Sequence, residues 1–251
     1  MAIARTGYSA SAINGGTGNT GSFDITVPAG TDCLIVYVTG YESIADLFTG
    51  SGAGATLEGA TADAVVTGSD ISNDYFKGAA WVFLNPPVGA GVTIAWDWAG
   101  TGDISNPAHF TWVAYSGVGS IRQAYGNQAS GPPYSTGVLT SSSGDMISVS
   151  VFGYTAGEAS VSTWSNAVEI SEFAATSTSD STLAEHESTG NVTIATPGTS
   201  GYNDGGIMAV IMVPAAGAAN TDRTPTIGSA ALAGIAPRND RGIFVPTEVE
   251  V

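Results

Sequence analysis

The chain has 251 residues with 22 acidic against 6 basic side chains, a formal net charge of −16, and only 11% of it is charged. Without a basic stripe to release counterions from phosphate, nucleic acid is not an expected partner, and neither is an anionic membrane surface. Abundant glycine and the lack of long Glu/Lys/Leu-rich amphipathic segments point to an all-β chain rich in turns. A chain this long buries roughly 70–75% of its unfolded surface, so neither a disulfide nor a metal is required for folding.

Residues 1–21 are rich in Gly, Ser, Thr and Asn with scattered Ile3, Tyr8 and Ile13, and read as an arm or lead-in. Gly16 to Gly21 fits G-x-G-x-x-G, but the dinucleotide fingerprint needs a strand before it and a helix after it. Here a strand follows and nothing regular precedes, so the stretch reads as a glycine loop. No apolar signal region opens the chain, which suggests no classical export.

Residues 22–27 and 31–40 are expected to form the first hairpin. In the second of these, Leu34, Val36 and Val38 share one face and Cys33, Ile35 and Tyr37 the other. Both faces are apolar, so this strand belongs in mid-sheet with a cover on each side. Cys33, the only cysteine, reads there as a small buried apolar residue rather than a nucleophile. Weak strands near 55–58 and 62–67 precede a firm one at 75–84. Next comes 92–98, where Val92, Ile94, Trp96 and Trp98 share a face, and then 110–115.

The second half repeats this grammar. In 146–154, Ile147, Val149 and Val151 alternate with Ser148 and Ser150, which predicts one buried and one wet face. Residues 161–163 and 168–173 read as edge strands. Residues 183–188 and 192–195 are expected to pair across Thr189-Gly190-Asn191, and 207–213 reads as a second central strand. The likeness between 27–36 and 142–149 is too short to establish a repeat, and suits two strands in equivalent roles. Gly/Pro punctuation between such strands predicts an antiparallel β-sandwich, jelly-roll-like, over 22–217.

Residues 218–251 carry Arg223, Arg238 and Arg241, three of the six basic residues, against four acidic ones. Apolar residues come in small groups (Ile227, Leu232 with Ile235, Ile243-Phe244-Val245), and Pro225, Pro237 and Pro246 forbid a continuous helix or central strand. This segment reads as an extended C-terminal arm over its own domain or a neighbouring subunit.

No catalytic signature is present. Gly7-Tyr8-Ser9-Ala10-Ser11 fails the nucleophile-elbow pattern at its last position. His109 reads as a structural imidazole. In Glu185-His186-Glu187 the carboxylates oppose the imidazole across the strand. Asp97, Glu158, Glu169 and Glu172 are the carboxylates to inspect for an acid pair. Asp70, Asn73 and Asp74 supply oxygen ligands of the kind Ca²⁺ takes, but read as an Asx-rich turn. No cofactor is expected. Trp81, Trp96 and Trp112 read as core, while Trp98 and Trp164 lie near strand ends where a ring can stack on a sugar.

The phrase Phe23-Asp-Ile-Thr-Val-Pro-Ala-Gly-Thr-Asp32, then Leu34–Val38, resembles a domain of tailed-phage virion proteins. Ala80–Pro87, Gly91–Ala95 and Val113–Val118 continue the likeness, and Pro225–Pro237 is similar to C-terminal extensions of phage structural proteins. Together these cover about half the chain as scattered phrases. The resemblance implies a non-enzymatic virion accessory protein, assembled in the host cytoplasm and carried on the particle: a capsid decoration (cement) or spike protein, homo-oligomeric. Its partners would be the major capsid protein or other virion proteins. The contacts would come from both arms, with Arg5, Tyr8, Arg223, Leu232, Arg238, Arg241, Ile243, Phe244 and Val245 as candidates. The alternative is a carbohydrate-binding adhesin domain on a fibre or tail, with Trp98 or Trp164 as its platform.

Overall fold

The structure is a computed structural model and describes residues 2–9, 13–14, 20–41, 54–67, 76–97, 109–129, 133–155, 164–175, 179–196 and 202–216. The first half of the chain contributes β1 (Ala4–Tyr8), β2 (Ile13–Asn14), β3 (Thr20–Val27), β4 (Cys33–Tyr41), β5 (Gly54–Leu57), β6 (Ala60–Thr61), β7 (Ala64–Thr67), β8 (Phe76–Leu84), β9 (Gly89–Asp97) and β10 (His109–Ser116). The second half contributes β11 (Val118–Ala129), β12 (Tyr134–Leu139), β13 (Met146–Thr155), β14 (Val168–Ala175), β15 (Ser179–Glu187), β16 (Val192–Thr196) and β17 (Tyr202–Pro214). All strand pairs are antiparallel, as the composition leads one to expect.

The pairing of the first half nests. β1 pairs with β10, β3 with β9, β4 with β8 and β5 with β6. First meets last, as in one long hairpin rolled over on itself, which is the jelly-roll arrangement. It produces one sheet in the order β1-β10-β4-β8-β7, with β2 also on β10, and a second in the order β3-β9-β5-β6. β3 and β4 are therefore not the expected hairpin. The turn at Pro28-Ala29-Gly30 carries the chain from one sheet to the other, with Gly30 at φ 79° and Thr31 Oγ1 donating to Pro28 O at 2.8 Å.

The second half nests in the same way, with β11 on β17, β12 on β16 and β13 on β15. β14 is added against β15 as β7 is against β8. The register agrees in detail: Val36 stands opposite Trp81 where Val149 stands opposite Ala184. Both first strands carry a bulge at the same place, between Arg5 and Gly7 and between Ile121 and Gln123. The bulged residue in each reaches the turn before the central strand: Thr6 Oγ1 lies 2.9 Å from Thr31 Oγ1, and Arg122 Nε donates to Asp145 Oδ2 at 2.7 Å. Asn85 N donates to Asp32 O, and Ser188 N to Asp145 O, each at 2.8 Å. The described body is thus built from two structural repeats, and 27–36 and 142–149 lead into their equivalent central strands.

The four sheets stack as layers with three apolar interiors. The first repeat's small sheet (Ile25, Leu57, Val92, Ile94, Trp96) covers Leu34, Val36, Trp81 and Phe110 of its large sheet. The opposite face of that sheet (Cys33, Ile35, Tyr37, Val82, Tyr115) packs on Met146, Phe152, Leu183, Met208 and Val210 of the second repeat. The outer face there (Ile147, Val149, Val151, Ile207, Ile211) is covered by Tyr134, Leu139 and Ile194 of the two-stranded sheet. β4 is apolar on both faces because it has a sheet on either side. Ser148 and Ser150, expected to be wet, are fully buried because their face meets the first repeat. There Tyr37 Oη donates to Ser148 Oγ at 2.9 Å. β15 and β16 do not pair with each other; the chain crosses between sheets there too.

Candidate functional site

Three places concentrate chemistry. The first is the seam between the repeats. Arg5 Nη1 on β1 lies 3.0 Å from Glu185 Oε1 on β15, and the guanidinium sits 5.2 Å from the centre of the Tyr8 ring. Tyr115 Oη donates to the other oxygen of Glu185 at 3.5 Å. Burial raises the phenol pKa of Tyr37 and Tyr115, so both stay protonated donors across the neutral range. The expected N-terminal arm is, over β1, an edge strand of its own body. A strand that satisfies β10 along its free edge and pairs its cation with Glu185 has more to gain there than in solvent.

The second is the rim where strands are joined by short turns. Asp145 is nearly fully buried and accepts from Arg122 Nε, from Arg122 Nη2 at 3.3 Å and from Ser142 N at 2.8 Å. The carboxylate raises the guanidinium pKa by this hydrogen bond and by its charge. Gly117 N donates to Asp32 Oδ2, Ser116 Oγ donates to Ala4 O at 3.3 Å, and Ala215 N donates to Gly117 O at 2.9 Å. Both ends of the described body therefore meet at this rim.

The third is an open groove of about 500 Å³ in the first repeat, lined by Gly54, Thr56, Thr61, Trp81, Trp96 and Asp97 among others. The hairpin of β5 and β6 forms one wall, placing Thr56 opposite Thr61. Trp81 and Trp96 are 1% and 5% exposed, so the groove meets only their edges.

Asp97 and Glu169 do not form an acid pair. They sit on the small sheet of the first repeat and on the large sheet of the second, with the first repeat's large sheet between. Glu158 and the side chain of Glu172 lie outside the described residues, as do Trp98, Asp70, Asn73, Asp74 and the candidates Arg223, Leu232, Arg238, Arg241, Ile243, Phe244 and Val245. Trp164 is half-buried and packs against the third interior, which leaves only part of its ring to solvent. His109 and His186 both have their pKa lowered by burial. Among the described residues no three His, Cys, Asp or Glu side chains are grouped to hold a metal ion. The groove and the rim escape sequence reasoning because strand pairing, not spacing, brings their residues together. Neither a protein family, nor a characterised protein, nor a solved structure matches the chain.

Proposed function

We propose that the protein is a non-enzymatic structural component of a phage particle that decorates or cements the capsid exterior, held there by contacts from its C-terminal segment. The observation that carries this reading is the placing of the two ends of the described body. The described body closes with Ala215 bonded at the rim beside β1, and residues 217–251 hold three of the six basic residues. Arg5 and Arg122 are already committed to Glu185 and Asp145 inside the body. Of the other four basic residues, three (Arg223, Arg238, Arg241) belong to the segment that follows the described body, and Lys77 is the fourth. The phage-like phrases in chain order point the same way. Particle binding by the chain lacking 218–251 is the test. The truncated protein is expected to melt as the whole chain does and to lose its particles. Retained binding would reject the proposal.

A further inference from the structure

We propose that the groove of the first repeat is a carbohydrate site that accepts a neutral or amino-substituted sugar ring. The repeats share strand order, bulge position and turn bonds, so a feature of one that the other lacks is not required by the fold. Among the described residues the groove beside Trp81 is such a feature, since the second repeat's own groove lies elsewhere, against Asn166, Val168 and His186. Where Trp81 stands opposite Val36, the second repeat has Ala184 opposite Val149. The β5–β6 hairpin that walls the groove is matched in the second repeat by one bridge, Ser165 to Ala195, with no second strand turned back on it among the described residues.

The lining selects the ligand. Thr56, Thr61 and Asp97 offer two hydroxyls and a carboxylate on one wall, and Val65, 51% exposed, adds apolar surface. A sugar ring has the matching two characters, an apolar C–H face and a rim of hydroxyls, and a carboxylate that accepts two hydroxyl donors makes charge-assisted bonds. The groove is open rather than enclosed, with a volume in the range of small-ligand sites. It suits a unit within a longer glycan better than a wholly apolar ligand. The net charge of −16 and Asp97 itself repel sialylated, sulfated or uronate rings. This site does not depend on the capsid reading, and a decoration protein with or without it remains a decoration protein.

The test is binding of the full chain to an array of neutral, amino, sialylated and sulfated glycans, followed by titration with the best neutral oligosaccharide at up to about 1 mM, the weak end of specific recognition. The expected result is binding confined to neutral or amino sugars. Asp97→Asn and the double change Thr56→Val, Thr61→Val are each expected to weaken it about tenfold, as loss of a charge-assisted or a paired hydrogen bond does. Glu169→Gln, an acidic change on the other repeat, is expected to leave it unchanged. Thr61 and Asp97 are exposed, and thermal melts of the variants confirm that the fold is kept. No neutral glycan bound, a preference for anionic ones, or equal affinity in all variants would overturn the site.

Discussion

Phe152 shows how closely the two repeats are fitted. Its ring lies where side chains are missing on both sheets: a Cβ on Gly78 of β8 would stand 2.6 Å from it, and one on Gly206 of β17 would stand 2.7 Å away. Gly78→Ala should therefore overpack the seam and destabilise the protein by about 1–3 kcal/mol. The expected readout is a lower urea midpoint at unchanged slope; an unchanged midpoint would show that the layers slide freely. A second residue-scale prediction concerns pH. Burial, then the Asp63 and Asp32 charges, push the Cys33 thiol from its ordinary 9.0 up to about 12. Tyr37 and Tyr115 are raised as well, chiefly by burial. These groups lose protons more readily once unfolded, so the stability they confer is whole below about pH 9 and lost as pH rises through 9 to 12. The unfolding free energy read from urea titrations should fall over that range, by about 1.4 kcal/mol per pH unit for each such group. The native thiol should resist aromatic disulfide reagents at pH 8, and fast reaction there would contradict its burial.

At the scale of elements, β1 closes the edge of the first large sheet and ties it to the second repeat through Arg5 and Glu185. Deleting residues 2–9 would leave β10 with unpaired backbone groups along one side, an edge that recruits other chains. The expected outcome is a lower melting temperature and concentration-dependent association by light scattering. Arg5→Ala alone should cost much less, about 1 kcal/mol or below, since the pair is partly exposed. How far such elements are legible in the sequence varies with their surroundings. β9 and β13 announce themselves through apolar alternation, β4 and β17 through runs apolar on both faces. β1, β11 and β12 do not: Arg5-Thr6-Gly7 and Arg122-Gln123-Ala124-Tyr125-Gly126 carry polar and small residues, because these strands are edges with a bulge and one wet side. The seryl face of β13 reads as solvent-facing because local pattern cannot reveal that a second sheet lies over it. The groove was illegible for the same reason, since Thr56, Trp81 and Asp97 meet only through pairing between distant strands.

For the molecule as a whole, the middle interior belongs to neither repeat. Cys33, Ile35, Tyr37 and Tyr115 from one side and Phe152, Met208, Val210 and Met212 from the other are buried only because both sheets are present. Burying such side chains is worth about 1.5–3 kcal/mol each, so the seam is a major part of the stability. The two repeats should unfold in one transition, with calorimetric and van't Hoff enthalpies that agree. Residues 118–216 expressed alone should be insoluble or molten, because a whole apolar face would meet water; a folded, soluble half would show that the repeats are independent. The meeting of Ala4 and Ala215 at the Ser116–Gly117 turn has a practical corollary for protein engineering. A short linker could join the two ends of the body, and new termini could then be cut at the Thr189-Gly190 turn. Such a permuted chain would keep every strand pair while sending β16 and β17 off the ribosome ahead of the first repeat.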